Sequence, residues 1–200
     1  MGNGVISPLT GKPGAKRVDT INREDILRLY QINFGMNVEK YFTGVTTIDV
    51  YECITTGYRF YHPASIIADG KFYEELQLMA EKRSGSYYRE GQFDQQYASS
   101  SIGTDEKVLE IGCGTGLFLE SLLSKTTRIV GIELNEHAIR ICQEKGLNVV
   151  NELIEVHSLT KTEHYDTVCS FHVLEHVYEV KNFIDYSLKA LRPGGKFILS

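Results

Sequence analysis

The chain has 200 residues, of which 42% are hydrophobic and 24% charged, and its formal net charge is -5. This length suits one ordinary domain with a small appendage. The negative charge disfavours a broad nucleic-acid surface, and no apolar run approaches the roughly 20 residues of a membrane-spanning helix. The N-terminal stretch also lacks the basic start and apolar core of a secretory signal, so we expect a cytoplasmic protein.

The first half of the chain is rich in Tyr and Phe and mixes helix and strand patterns. A helix is predicted over residues 22–34, with Asn22 as its N-cap and Gly35 at its end. The basic run over residues 11–17 is interpreted as a solvated loop. Other predicted elements are two strands around a glycine turn over 46–61 and helices over 70–83 and 91–100.

From residue 105 onward, strand and helix patterns alternate regularly. Five strands are predicted, with the sequences KVLEIG, RIVGIEL, LNVVN, YDTVCSFHV and KFILS, and helices follow the first, second and fourth of them. Such alternation predicts a parallel sheet with right-handed crossovers, in a Rossmann-like doubly wound α/β fold. Because the sequence stops at Ser200, inside the fifth predicted strand, we expect an incomplete sheet edge, which invites self-association.

A glycine-rich turn, VLEIGCGTG, joins the first of these strands to its helix at residues 108–116. Glycine lets the backbone turn sharply and approach a ligand closely. The spacing is G-x-G-x-G, and Leu117 stands where a dinucleotide fingerprint has its third glycine. Glu110 would repel a pyrophosphate but suits a cationic ligand. Glu133 ends the second strand, where a carboxylate can bind both hydroxyls of a ribose. A ligand that carries both a ribose and a positive charge is S-adenosylmethionine.

Four segments in this order resemble the motifs of class I S-adenosylmethionine-dependent methyltransferases: VLEIGCGTG, GIELN, YDTVCSFHVLEHV and LRPGGKFILS. The resemblance covers residues 105–200 and implies a methyltransferase (a transferase that uses S-adenosylmethionine). It implies cofactor contacts from the glycine turn, from the end of the second strand and from the end of the fourth. These residues are Glu110, Gly112, Cys113, Gly114, Gly116, Glu133, Leu134 and Phe171. It also implies that the residues around Leu153 and Ile154 flank the adenine base.

The stretch FHVLEHV carries the order H-x-x-E-H in His172, Glu175 and His176. A zinc peptidase needs both histidines on one helix, whereas His172 ends a strand pattern. Some methyltransferases acting on catechols or RNA ends carry E-x-x-E-H here and bind a divalent cation. His172 replaces the first glutamate of that motif, so we predict no metal, although Glu175 and His176 leave a cation site open. His172 is the candidate catalytic base for a hydroxyl acceptor.

Two turns in the first part of the chain, SPLTG at residues 7–11 and CITTG at residues 53–57, share one form. Zinc ribbons use two C-x-x-C-G turns, and some sugar- and natural-product-pathway methyltransferases resemble this layout. Only Cys53 remains at these positions, so we predict a ribbon-like hairpin without metal. The four cysteines show no disulfide framework and are predicted to be free and mostly buried.

The sequence thus predicts three parts: a ribbon-like region over 1–65, a helical connector or lid over 66–104, and a methyltransferase core over 105–200. In the connector, Tyr87 and Tyr88 are candidate contacts at the cofactor cleft. The predicted reaction is O- or C-methylation of a small-molecule or glycan-precursor acceptor, with no nucleic acid or membrane span. A non-catalytic S-adenosylmethionine-binding or interaction module is the alternative. An NAD-dependent oxidoreductase is disfavoured by Leu117 and Glu110.

Overall fold

The computed structural model describes residues 4–68, 70–84 and 93–200 and resolves them into two compact units. The first unit runs to the end of the second helix and includes Tyr178–Lys181, and the second contains the remaining described residues. The predicted division at residues 65 and 104 stays a prediction. Within the described residues, no helix is both long enough and apolar enough to span a membrane.

A three-stranded antiparallel sheet forms the centre of the first unit. Its strands are β1 (Ala15–Asn22), β2 (Thr47–Cys53) and β3 (Arg59–His62), in the order β1-β2-β3. The helices are α1 (Arg23–Phe34) and α2 (Gly70–Ser84). Asn22 is the N-cap residue of α1 but makes no side-chain cap bond, while Gly35 ends the helix in a left-handed conformation, as predicted.

The basic run at residues 11–17 is not a loop throughout, because its last three residues open β1. There Lys16 pairs with Glu52 at 3.1 Å and Arg17 with Asp49 at 3.6 Å, both on the neighbouring strand β2. Opposite charges facing each other across paired strands stabilise a sheet modestly. The charge of this segment is therefore compatible with a strand.

A five-stranded parallel sheet forms the centre of the second unit. Its strands are β4 (Val108–Ile111), β5 (Ile129–Ile132), β6 (Val149–Val150), β7 (Tyr165–Ser170) and β8 (Leu191–Leu199), in the order β6-β5-β4-β7-β8. The helices are α3 (Phe93–Ser101), α4 (Leu117–Leu122), α5 (Glu136–Glu144), α6 (Ile154–Thr160) and, from its third residue on, α7 (Val180–Ala190). The parallel strands and the reversal of strand order at β4 confirm the predicted doubly wound fold.

Side chains of β4 alternate between the two faces of this sheet. Val108 packs into a core cluster with residues of α3, α4 and α5, whereas Leu109 packs with residues of α6 and α7. Helices therefore cover both faces, and buried parallel strands of this kind read as continuous apolar runs. This arrangement leaves the carboxyl ends of the strands as the place where polar groups can converge.

Candidate cofactor and acceptor site

The carboxyl ends of three neighbouring strands are level in the second unit. Ile111 at the end of β4 lies beside Ile132 of β5 on one side and beside Ser170 of β7 on the other. The glycine turn, Glu133 and the pair Phe171–His172 each follow one of these strand ends. In open α/β sheets, ligands bind in the crevice outside these ends, where the strand order reverses.

The glycine turn is fixed by hydrogen bonds to the neighbouring strand and to Glu133. The backbone N–H groups of Gly112 and Cys113 both donate to the carbonyl of Ile132, at 2.8 and 3.2 Å. The N–H of Gly114 donates to Glu133 Oε2 at 2.9 Å. The other oxygen, Glu133 Oε1, accepts from the N–H groups of Leu134 at 2.7 Å and Asn135 at 2.8 Å. The structure thus brings Glu133 directly against the glycine turn.

Glu110 lies in the core beneath this turn, with 3% of its surface exposed. Its Oε2 is buried and has no hydrogen-bond partner among the described residues. Burial raises the pKa of this carboxyl well above its usual range, and the nearby Cys142 and Glu133 raise it further. A buried carboxyl without a partner is costly, and a cationic group above the turn would supply the missing interaction. The two carboxyl groups, Glu110 and Glu133, therefore fit a ligand with a positive charge and a ribose.

Two of the glycines pack closely against other parts of the unit. A Cβ at Gly112 would clash with Cγ2 of Val173, so the residue following His172 touches the turn. A Cβ at Gly116 would lie 2.5 Å from Cδ1 of Leu147 and 2.9 Å from Sγ of Cys142. Both glycines have positive φ angles, of 72° and 77°. These contacts place the glycine turn, α5 and the loop after β7 against one another.

Replacement of Gly116 by alanine is expected to destabilise the protein more than the same change at Gly146. Both residues have a positive φ, of 77° and 73°, but a Cβ at Gly146 would meet nothing within 4 Å. The left-handed backbone costs about 1–2 kcal/mol in each variant, and overpacking adds about 1–3 kcal/mol at Gly116 alone. Urea denaturation of the two variants measures the difference, and equal losses would contradict the packing described above.

His172 follows β7 and is 55% exposed at its side chain. Its φ of 54° lies in the left-handed region, which is unusual for a residue with a side chain and often marks a functional site. Its Nε2 lies 3.2 Å from Oδ2 of Asp94 on α3, and its Nδ1 lies 4.0 Å from Oε1 of Glu175. Ser200 supports the pair, because its hydroxyl donates to Asp94 Oδ2 at 2.7 Å and its carbonyl accepts from the His172 N–H at 3.2 Å.

Other predicted site residues have different surroundings. Leu134 is exposed and accessible to a ligand, whereas Phe171 and Cys113 are buried, and the Phe171 ring packs edge-on against Phe118 at 4.9 Å. Ile154 is buried at the start of α6, which the sequence did not predict, so only Leu153 of that pair is exposed. Roles for these residues in cofactor binding stay predictions. Tyr87 and Tyr88 lie outside the described residues.

Sequence reasoning missed Asp94, which lies 78 residues before His172 in the chain. No local pattern marks it, since it reads as an acidic residue in the first turn of α3.

Burial lowers the pKa of His176, which favours its neutral form. In residues 4–68, 70–84 and 93–200, no group of three or more His, Cys, Asp or Glu side chains is arranged to hold a metal ion. All four cysteines are free and buried, as predicted.

This fold and this set of groups define a class I S-adenosylmethionine-dependent methyltransferase. Residues 79–200 match the family described as Methyltransferase domain, and the chain belongs to that family. The predicted family, its Rossmann-like fold and its cofactor, S-adenosylmethionine, are confirmed.

Two curated relatives are ubiquinone biosynthesis O-methyltransferases. The chain is 33% identical over 109 residues to the mitochondrial ubiquinone biosynthesis O-methyltransferase of Dictyostelium discoideum, covering 46% of this chain and 34% of that protein. It is 31% identical over 101 residues to the ubiquinone biosynthesis O-methyltransferase of Idiomarina loihiensis, covering 48% and 42%. The chain therefore spans less than half the length of these relatives.

Among solved structures, the crystal structure of the cyclase SpnF superposes with a TM-score of 0.53 at 19% identity. The superposition covers 63% of this chain and 56% of SpnF. At this level of identity the likeness concerns the fold alone.

Proposed function

We propose that this protein is an O-methyltransferase that transfers the methyl group of S-adenosylmethionine to a hydroxyl group of a small molecule, with His172 as the base. The observation that carries the proposal is the pairing of His172 with Asp94 at the same sheet end as the glycine turn and Glu133. The names of the curated relatives favour oxygen over carbon as the acceptor atom.

The glycine turn and the two acidic residues beside it have separate roles in this proposal. Glu133 accepts hydrogen bonds from the ribose hydroxyls through acceptor capacity that its three backbone bonds leave, because a carboxylate has about four acceptor positions. Glu110 faces the positive charge, which lowers its pKa again and restores the ionised form. Leu134 and Leu153 contact the adenine. When bound, S-adenosylmethionine supplies a methyl group on a positively charged sulfur.

His172 then removes the proton of the acceptor hydroxyl. A carboxylate that accepts a hydrogen bond from one ring nitrogen holds the proton there and leaves the basic lone pair on the other. In this proposal Asp94 holds the proton on Nε2, which lies 3.2 Å from its Oδ2, and the acceptor hydroxyl approaches Nδ1. The imidazolium formed by proton transfer lies between Asp94 and Glu175, and both carboxylates stabilise its charge. Alignment of the hydroxyl oxygen with the methyl group supplies much of the remaining rate gain.

The proposal is tested by two measurements on the purified protein. Calorimetric titration with S-adenosylhomocysteine should show one binding site. Incubation with S-adenosylmethionine and a panel of small hydroxyl compounds, catechol among them, with detection of the products by mass spectrometry, should show a gain of one methyl group on oxygen. Binding of S-adenosylhomocysteine without methylation of any hydroxyl acceptor in a broad panel would contradict the proposal and favour the non-catalytic binding module instead.

A further inference from the structure

The two turns SPLTG and CITTG of the first unit have the same backbone hydrogen bonds. The first residue of each turn donates to the residue five positions later, from Ser7 to Lys12 at 3.0 Å and from Cys53 to Tyr58 at 2.8 Å. Each first residue also accepts at its carbonyl from the glycine four positions later, and both distances are 2.8 Å. The turns are therefore equivalent in their main-chain geometry.

The equivalence extends to the fourth residue and the glycine of each turn. Thr10 Oγ1 accepts from the N–H two residues later at 3.3 Å, and Thr56 Oγ1 does the same at 3.3 Å. Gly11 and Gly57 both have positive φ angles, of 66° and 72°. Two segments about 46 residues apart thus share one pattern of backbone hydrogen bonds and one left-handed glycine position.

The side chains of the two turns meet. Ser7 is fully buried and Cys53 is 2% exposed. The hydroxyls of Ser7, Thr55 and Thr56 hydrogen-bond the Cys53 sulfur, with Thr55 Oγ1 at 3.3 Å, and these bonds lower the pKa of the thiol to about 6. The N–H of Thr10 bonds Ser7 Oγ at 3.4 Å, and the backbone of Thr56 bonds the Cys53 sulfur in the same way. The N–H of Ile54 donates to the carbonyl of Gly14 at 3.0 Å, which ties the second turn to the segment after the first.

This is the layout of a structural zinc site, in which two turns each present two thiolates and donate backbone N–H groups to them. The side chains present do not fit zinc, because structural sites use four thiolate or imidazole ligands and positions 7, 10 and 56 carry hydroxyls. We infer that the two turns are the paired knuckles of a zinc ribbon that has exchanged its metal for a hydrogen-bonded cluster of hydroxyl groups around Cys53. This inference is independent of the proposed methyl transfer.

The inference predicts that three substitutions convert the cluster into a zinc site. The triple variant Ser7→Cys, Thr10→Cys, Thr56→Cys should hold one zinc per chain, and its cobalt form should show the visible bands of a tetrahedral tetrathiolate. X-ray absorption should give four Zn–S distances of about 2.3 Å. The unsubstituted protein should carry no zinc and should refold equally well with and without a chelator.

Matched variants separate this geometry from the mere addition of thiols. Ser7→Cys, Leu9→Cys, Ile54→Cys adds the same number of cysteines with two of them moved to other positions, one of them the exposed Ile54, and it should bind zinc at least tenfold more weakly. Adding Cys53→Ser to the first variant should weaken binding by a similar factor. The variant with alanine at positions 7, 10 and 56 shows whether the fold tolerates change there.

Three results would overturn the inference. They are equal zinc affinity of the first variant and its displaced control, stoichiometric zinc in the unsubstituted protein, and failure of the cysteine variant to fold in zinc while the alanine variant folds.

Discussion

Replacement of His172 by alanine is expected to lower the rate of methyl transfer to catechol by about 10²–10⁴-fold, the usual contribution of a positioned general base. The affinity for S-adenosylhomocysteine should stay within about threefold of the original, because His172 is assigned to the acceptor. The deficit should shrink for nitrocatechol, whose acidic hydroxyl is ionised without help from a base. Steady-state rates with both acceptors, measured beside calorimetric titration, test all three statements.

Two further variants show whether the effect belongs to the pair described here. Asp94→Asn should lower the rate by about tenfold or more, since the amide can present an N–H to Nε2 and favour the wrong tautomer, and it should alter the pH profile. His164→Ala removes a histidine just before the opposite end of the same strand, where its ring packs edge-on against Tyr165, and it should leave the rate unchanged. An equal deficit of His172→Ala with catechol and nitrocatechol would show that His172 is not the base.

Replacement of Glu110 by glutamine is expected to change ligand affinity and stability in opposite directions. With the charge gone, the affinity for S-adenosylhomocysteine, which lacks the charged sulfur but keeps the ammonium group of its amino-acid part, should fall by about 10–100-fold, since a hydrogen bond to a charged group contributes about 1.5–3 kcal/mol. The ligand-free protein should become more stable at neutral pH, because burial holds the pKa of Glu110 well above its usual range and glutamine needs no proton to be neutral. Calorimetric titration and urea denaturation measure the two effects.

The raised pKa of Glu110 makes the folded, ligand-free chain less stable as pH rises. The unfolded chain ionises Glu110 above a pH of about 4.3, whereas the folded, ligand-free chain keeps the proton to a higher pH. The contribution of Glu110 to the stability of the folded chain is thus fully present below the pKa of the unfolded chain. It is lost as pH rises towards the pKa of the folded chain, by at most about 1.4 kcal/mol per pH unit. Glu110→Gln should remove this loss of stability with rising pH. Glu106→Gln is the control and should leave it in place. The pKa of Glu106 is low despite partial burial, because the Lys196 and Thr167 side chains and the Gly103 backbone stabilise its charged form. An unchanged slope would contradict the assignment.

The parts of the site that directly follow a strand in the sequence could be predicted. Glycines between a strand and a helix, and an acidic residue at the end of the next strand, lie together because parallel strands share one end. In the structure the N–H of Gly114 in this turn donates to the carboxylate of Glu133, while their roles in cofactor binding stay predictions. Asn135, which directly precedes α5, caps this helix, because its side chain accepts from two backbone N–H groups of the first turn.

Features that depend on contacts distant in the chain could not be predicted. Helix α6 has seven residues, too few for a periodic pattern to stand out, and it is stabilised by burial of Ile154 in the core. β1 alternates poorly because most of its residues are exposed. Asp94 reaches His172 only through the packing of the fold, and no sequence spacing fixes that distance.

The three backbone N–H groups that donate to Glu133 affect the entropy of ligand binding. A loop rich in glycine would ordinarily sample many conformations, and ordering it at the moment of association would weaken affinity. Here one side chain, that of Glu133, accepts hydrogen bonds from Gly114 and from Leu134 and Asn135 at the start of the next loop. The conformational entropy of the glycine turn is therefore lost on folding and not on ligand binding, so binding should be fast, with little rearrangement. Amide hydrogen exchange at Gly114 should be slow in the protein without added ligand.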